Sequence, residues 1–494
     1  MLIAILCVPL GFALVAALLP SRLVGPVSVI GSLVTLGLSI ALVADFESGV
    51  PGLQHVIDET WIPGLGVRFQ LGIDGISLFL VVMTALLWTA AFVWSAWRMP
   101  DRPKNYFLML GLGEFAVMGA FLAQDLLLFV LFFDLMLVPF FFLIGSYGTG
   151  DRVRATIKMM VYTLVGSLLM LVAAIATAIL TSESTGDLSF ALEDLRANVL
   201  PEGSQNWIFC FFAAAFLVKM PAFPLHGWMP DAYRAAPLPV LALLSGVLPK
   251  VAAYGFLRVV LPIFPDATIQ FQELVLVIGL ASIIYGSVMA FTQTNVRLIA
   301  GYSSIAQLGF ITLGVFSLSA DGANGAVLQM VNHGLVVAPI FFIVAILADR
   351  YGTDDLRQMG GAAMRAPVLA ALFLIVTLAT LAMPGSSNFI GEFYILNGLF
   401  DEKTVFAVIA MAGVAMAAFY ALRLYQKTMH NRLPDGVESR EMTLREASVL
   451  VPLVLVIVAV ALYPSLILKR GEASVQDKLG AVAAQTSDDV VVRP

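Results

Sequence analysis

The chain has 494 residues, 60% of them hydrophobic and only 12% charged, with a mean hydropathy of +0.94 and a formal net charge of −6. So little polar surface cannot coat a soluble body of this size, and the chain belongs in a membrane. Cys7 and Cys210 are the only cysteines, which excludes a disulfide framework and a thiolate metal or iron–sulfur site.

About 20 consecutive apolar residues cross a hydrocarbon core of roughly 30 Å as a helix. The sequence holds fourteen such runs. The first two cover 1–19 and 24–44. The opening run lacks a basic start and leads directly into the next, so it reads as a membrane helix and not as a cleaved signal. The polar stretch 45–74 has turn signals at Pro51, Gly52, Pro63 and Gly64, and its alternation from Val67 to Leu71 allows a small hairpin. Spans three to six are expected at 76–96, 106–123, 126–147 and 155–180, followed by an acidic segment, 181–205. Spans seven and eight are expected at 207–228 and 237–260, and spans nine to eleven at 271–291, 298–318 and 326–348. The twelfth, 368–400, is too long for one straight crossing and is broken from Pro384 to Asn388. Two more, 405–425 and 447–468, precede a polar tail.

Orientation follows from basic residues, which concentrate in cytoplasmic loops. Odd-numbered loops carry sixteen Lys and Arg, whereas even-numbered loops carry only Arg68, Arg196 and Lys403. Both termini are therefore expected on the outer face, together with the acidic loop.

Ionisable residues inside the spans carry the functional signal, because a charge at the bilayer centre costs roughly 2.5–3.5 kcal/mol even on lenient scales. Lys219 lies just before Pro221, with Pro224 and Pro230 further on, so the seventh span is expected to break around it. Broken backbone at membrane depth is tolerated where it lines a cavity or is buried in protein. The bland alternative is a lysine snorkelling to the interface. Asp134 lies mid-span in the fifth helix. It is either protonated or hydrogen-bonded for packing, or paired with a buried cation, for which Lys219 is the natural choice. Lys250 follows Pro249 deep in the eighth span and reads as a proton carrier or a structurally paired base. His226 and His333 are either relay members or neutral hydrogen-bonding residues. Glu392 lies just past the break in span twelve, where exposed helix ends stabilise ions. The interval from Asp134 to Lys219 is 85 residues, as is that from Gln307 to Glu392, which fits a duplicated unit. Glu114, Asp125 and Lys158 read as loop anchors as readily as relay members.

Seven strings taken together resemble the antiporter-like membrane subunits of respiratory complex I, over nearly the whole chain. They begin at Phe132, Lys158, Val218, Gly246, Tyr302, Asn332 and Asn388 and end at Pro139, Ser167, His226, Lys250, Ser304, Gly334 and Phe393. The resemblance implies an all-α polytopic fold of about 14 transmembrane helices, with broken helices 7 and 12 and two inverted five-helix repeats. It divides the chain into 1–105 (helices 1–3 with an outer loop), 106–262 (first repeat), 263–427 (second repeat) and 428–494 (helix 14 and tail). Lys219 matches the broken-helix lysine, Asp134 its acidic partner, Lys250 the central lysine and Glu392 the terminal acidic site. His226 and His333 match histidines of the hydrated axis. Glu392 is distinguishing, since sister subunits and Mrp antiporter chains generally have lysine there.

Two departures stand out. Asp134 replaces the usual glutamate, which shortens the reach to Lys219 by one methylene and implies a water bridge between them. Gln307 replaces a frequent histidine, so that link is expected to carry protons through water or not at all.

The implied activity is proton translocation within a bacterial NADH:quinone oxidoreductase of the plasma membrane. The partners would be the other membrane-arm subunits, with sister antiporter-like chains on both sides, and the lipid bilayer. No nucleotide, flavin, iron–sulfur or quinone motif is visible, so no cofactor or metal is expected in this chain, nor a nucleic-acid partner. The rival readings are a subunit of a Mrp-type cation/proton antiporter or membrane hydrogenase, and a scaffold whose charges only lock helices together.

Overall fold

A computed structural model describes residues 1–434, 436, 437 and 440–492. Helices α1 (Leu2–Leu18) and α2 (Ser21–Asp45) lead into an antiparallel hairpin of β1 (Gln54–Ile62) and β2 (Val67–Ile73), the unit that the alternation near Val67 allows. Next come α3 (Gly75–Trp97), α4 (Pro103–Leu122), and a span divided into α5 (Leu126–Leu135) and α6 (Leu137–Tyr147). The long α7 (Arg152–Thr185) and short α8 (Leu192–Ala197) precede α9 (Glu202–Lys219), which stops at the lysine, and α10 (Met229–Ala235). The following span is α11 (Leu238–Gly246), α12 (Leu248–Gly255), a π turn (Phe256–Val260) and α13 (Leu261–Ile263). Then come α14 (Pro265–Thr292), α15 (Val296–Phe316) and α16 (Ala320–Tyr351). A second interrupted span, α17 (Pro367–Thr380) and α18 (Ser387–Glu402), leads to α19 (Thr404–Met429), α20 (Leu444–Leu462) and α21 (Ser465–Val492). Among the described residues, eleven helical spans are long and apolar enough to cross a membrane, and α1 and α17 are shorter apolar helices. The chain is an all-α polytopic membrane protein carrying one small hairpin.

The centre of the bundle is α11–α13, α15 and α16, which are buried almost throughout, while α2, α19 and α20 expose large apolar side chains as lipid-facing helices do. Small residues set the closest approach. A Cβ on Gly309 of α15 would lie 2.6 Å from the carbonyl oxygen of Gly279 on α14, so only glycine permits this crossing.

One face of the bundle is tied together by backbone. Gln124 N–H donates to Gln70 O, Leu126 N–H to Phe190 O and Arg68 N–H to the Asp125 carboxylate, joining the hairpin, the α4–α5 turn and the 186–201 loop. Helix α21 lies on this same face, where Gly75 N–H donates to Ser474 Oγ at 3.0 Å. The opposite face carries ion pairs between Arg98 and Asp349, Arg297 and Asp354, and Lys158 and Asp231.

Candidate functional site

Lys219 and Lys250 each lie where a proline has taken a donor out of a helix. At Lys219 the two carbonyls just before the lysine find other donors. Pro221 cannot donate to Leu217 O, which accepts instead from Ala222 N–H at 2.9 Å, and Val218 O accepts from Trp228 Nε1 at 2.9 Å. The helix therefore ends with Lys219 only 4% exposed. Its Nζ donates to Phe133 O at 2.5 Å and lies 3.6 Å from the centre of the Phe133 ring. That carbonyl lies in the last turn of α5, just before the fifth span divides between α5 and α6 past Asp134.

Asp134 and Lys219 do not form a direct ion pair. The lysine is held by its neighbour's carbonyl and ring, and Asp134 Oδ1 has no hydrogen-bond partner. The two groups interact electrostatically across the gap. The short aspartate side chain fits this separation.

Lys250 repeats the logic of Lys219. Pro249 cannot supply the N–H that Ser245 O would accept in a continuous helix, and Lys250 Nζ donates to that oxygen at 2.8 Å from a fully buried position. Ser245 Oγ is 3.0 Å from Ser304 Oγ on α15. His333 on α16 is buried, interacts electrostatically with Lys250 and has an unpartnered Nδ1. Its neighbour Asn332 donates to Ser387 O at 2.7 Å, which ties α16 to the break between α17 and α18.

Just past that break, Glu392 is 2% exposed and accepts from Gln307 Nε2 at 2.8 Å, while Gln307 Oε1 accepts from Gln329 Nε2 at 2.7 Å. Gln307 thus contacts the carboxylate directly through its side-chain NH2 group. His226, in the turn after Lys219, has Nε2 3.2 Å from Tyr285 Oη and packs against Phe223, Tyr285 and Tyr302.

The less specific candidates separate. Asp125 caps α5 by accepting from Leu128 N–H and also accepts from Arg68 N–H, so it is a loop anchor. Lys158 pairs with Asp231 at 2.7 Å, anchoring α7 to α10. Glu114 is fully buried in α4, and neither carboxylate oxygen has a partner.

Sequence reasoning missed Arg258. It lies in the π turn, where Pro262 lacks the N–H that a regular helix would direct at Arg258 O. The guanidinium pairs with Asp74 at 2.5 Å and bonds Gln124 Oε1, with both charged side chains almost wholly buried. The available signal was an arginine between Leu257 and Val259 in an apolar run.

These features define a class: a polytopic membrane protein with interrupted helices and buried lysine, carboxylate and histidine side chains beside or between them. Residues 123–418 match the family described as NADH:quinone oxidoreductase/Mrp antiporter, TM, and the chain belongs to that family. It is similar to NADH-quinone oxidoreductase subunit M of Rhodobacter capsulatus, with 36% identity over 450 residues, 89% of this chain and 87% of the relative. Subunit M of Escherichia coli K12 is 37% identical over 465 residues, 90% and 91% of the two chains. A chain of respiratory complex I from Thermus thermophilus with bound NADH superposes with a TM-score of 0.89 at 30% identity, covering 98% of this chain and all of that one. A chain of the Mrp complex from Dietzia sp. shares the fold, with a TM-score of 0.84 at 21% identity over 97% and 98% of the chains.

Proposed function

We propose that this chain is an M-type, antiporter-like subunit of an NADH:quinone oxidoreductase that moves protons while quinone reduction proceeds in other chains of the assembly. The observation that carries the reading is that Lys219, Lys250 and Glu392 are buried beside interruptions of their helices, each held by one hydrogen bond to an uncharged group. A group held so lightly can change partner as it gains or loses a proton. Similarity to subunit M over about nine-tenths of the chain, and glutamate at 392, favour this reading over the Mrp antiporter, where the likeness extends to the fold.

In this reading protons load onto Lys219 and Lys250, and Glu392 gates the exit. Lys219 on the Phe133 carbonyl is the open state of its pair with Asp134, and closure onto the carboxylate accompanies charge movement along the membrane arm. His226 and His333 serve as relay members. Moving a unit charge against 100 mV costs about 2.3 kcal/mol, so the drive must come from redox chemistry elsewhere. The chain itself carries no cofactor.

The subunit is placed in the bacterial inner membrane with fourteen crossings and both termini outside, supported by the distribution of basic residues. Helices 4–8 (106–262) and 9–13 (263–427) form inverted repeats between an N-terminal segment (1–105) and a C-terminal segment (428–494). Its neighbours are membrane-arm subunits, including sister antiporter-like chains on both sides.

The test is proton pumping and NADH:quinone turnover in membranes carrying Lys219→Ala, with assembly followed by native electrophoresis. Assembly with collapse of both activities supports a coupled proton path. Wild-type activities would make Lys219 structural and end the mechanism.

A further inference from the structure

Glu114 has no part in the mechanism above. It lies eleven residues beyond Pro103, which starts α4, so it is roughly 16 Å into the helix and near mid-bilayer. It has no exposed surface, neither carboxylate oxygen has a hydrogen-bond partner, and it is in none of the ion pairs among the described residues. A buried carboxyl without a partner is destabilising, and packing alone gives nothing in return. Leucine would fill the position at lower cost.

Its surroundings connect two other features. On the face opposite the hairpin, a cavity of about 870 Å³ opens between α3, α4, α6, α11 and α16. The cavity is lined in part by Ser95, Arg102, Tyr106, Met109 and Phe142, and the hydroxyls of Ser95 and Tyr106 are 3.1 Å apart. One helical turn deeper, Gly113 lies against Trp88 and Pro139, so Met109–Gly113 on α4 and Phe142–Pro139 on α6 step from the cavity to the level of Glu114. In the other direction α4 meets α5 and α12, two of the three elements that carry Asp134, Lys219 and Lys250. Gly119 abuts Phe132, two residues before Asp134, and Phe121 O accepts from Tyr254, one turn beyond Lys250, at 3.2 Å.

We propose that Glu114 is a proton-carrying residue that links this vestibule to the line of Asp134, Lys219 and Lys250. The inference rests on the proton-translocating reading. The carboxylate takes a proton from hydronium in the wet vestibule, forming an O–H bond and leaving water. It then gives that proton to an unprotonated lysine amine of the line, directly or through water; an N–H bond forms and the carboxylate is restored. The vestibule is thereby an inner-face mouth of the first half of the subunit.

The experiment uses the assembled complex in native membranes and compares Glu114→Gln, Glu114→Leu and Glu114→Asp, with Lys219→Ala as reference. Because leucine removes an unpartnered polar group, Glu114→Leu should assemble at least as well as wild type. The expected result is that Gln and Leu variants assemble while coupled turnover and proton uptake fall about tenfold or more, and that Asp restores part of the loss. Wild-type pumping in the assembled Leu variant would overturn the proposal. Failure of both the Gln and Leu variants to assemble would overturn it too, by assigning Glu114 a structural role. If Lys219→Ala abolishes pumping while Glu114→Leu does not, only the Glu114 assignment fails. If neither variant affects pumping, the proton-translocating reading fails with it.

Discussion

Gln307 presents its side-chain NH2 group to Glu392 because its carbonyl oxygen is already engaged by Gln329. The acidic residue beyond the second interrupted helix therefore has one fixed donor on Oε1, while Oε2 has no partner. An amide is a poor proton carrier, so Gln307 is a positioning residue for Glu392. Gln307→Leu leaves the buried carboxylate without a donor, a loss of about 1–3 kcal/mol for its ionised form. The expected result is a drop of roughly tenfold in coupled NADH:quinone turnover per assembled complex, with activity retained in Gln307→His, which restores a donor. Wild-type turnover in the leucine variant would remove Gln307 from the path.

The gap between Asp134 and Lys219 gives a second expectation. Asp134→Glu adds one methylene and reaches towards an ammonium group now held by Phe133 O. The glutamate variant should pump at least as well as wild type, whereas Asp134→Asn should lose about tenfold or more in coupled turnover while assembling normally. Proton uptake and quinone-dependent NADH oxidation in inverted vesicles check both. A pumping Asn variant would show that the carboxylate does not act on the lysine.

The breaks at Lys219 and after Thr380 were legible in the sequence because Pro221 and Pro224, and Pro384 with Gly385, interrupt their apolar runs, whereas the lone Pro339 and Pro452 lie in unbroken helices. Lys219, Lys250 and Glu392 were legible for a related reason: an ionisable group in such a run is rare. What the sequence could not convey is which atoms those groups touch. Lys219 faces a carbonyl and a ring where the sequence suggested a pair with the mid-span carboxylate of Asp134. Asp74 caps α3 by accepting from Ile76 and Ser77 N–H, but its buried partner Arg258 lies 184 residues away. The segment after 468 reads as a polar tail, yet α21 meets Gly75 across 399 residues. A Cβ at Gly75 would overlap the Arg470 carbonyl oxygen, a contact no local pattern encodes.

The Arg258–Asp74 pair carries its own prediction. Both side chains are at most 3% exposed, so removing one leaves an uncompensated buried charge at a cost of about 3–5 kcal/mol. Arg258→Leu should leave little assembled complex in membranes. Combining it with Asp74→Asn, which removes the orphaned charge and keeps a side-chain oxygen for the α3 cap, should recover part of the assembly. Native electrophoresis with immunodetection measures both. Full assembly of the single variant would mean that water or another group compensates Asp74.

On the same face, α21 is held by charge outside the apolar spans. Burial pushes the Asp477 carboxyl up, but hydrogen bonds from Arg196 and Lys478, at 2.8 and 2.7 Å, together with their charges hold it down to about 2, below its ordinary 3.8. A carboxylate whose folded value is depressed contributes stability that is fully present above the unfolded value and is lost as pH falls through the folded one. Docking of α21 should therefore persist to about pH 4 and weaken progressively as pH approaches about 2. Asp477→Asn keeps the backbone carbonyl that Arg196 also contacts but abolishes this titration, so its docking should be weaker at every pH and flatter across the range. Pepsin cleavage within α21 of the solubilised complex, measured between about pH 2 and 4.5 for wild type and variant, reads the difference. Equal cleavage of the two at all pH values would mean that apolar packing alone retains the helix and that the Arg196–Asp477 contact adds nothing to docking.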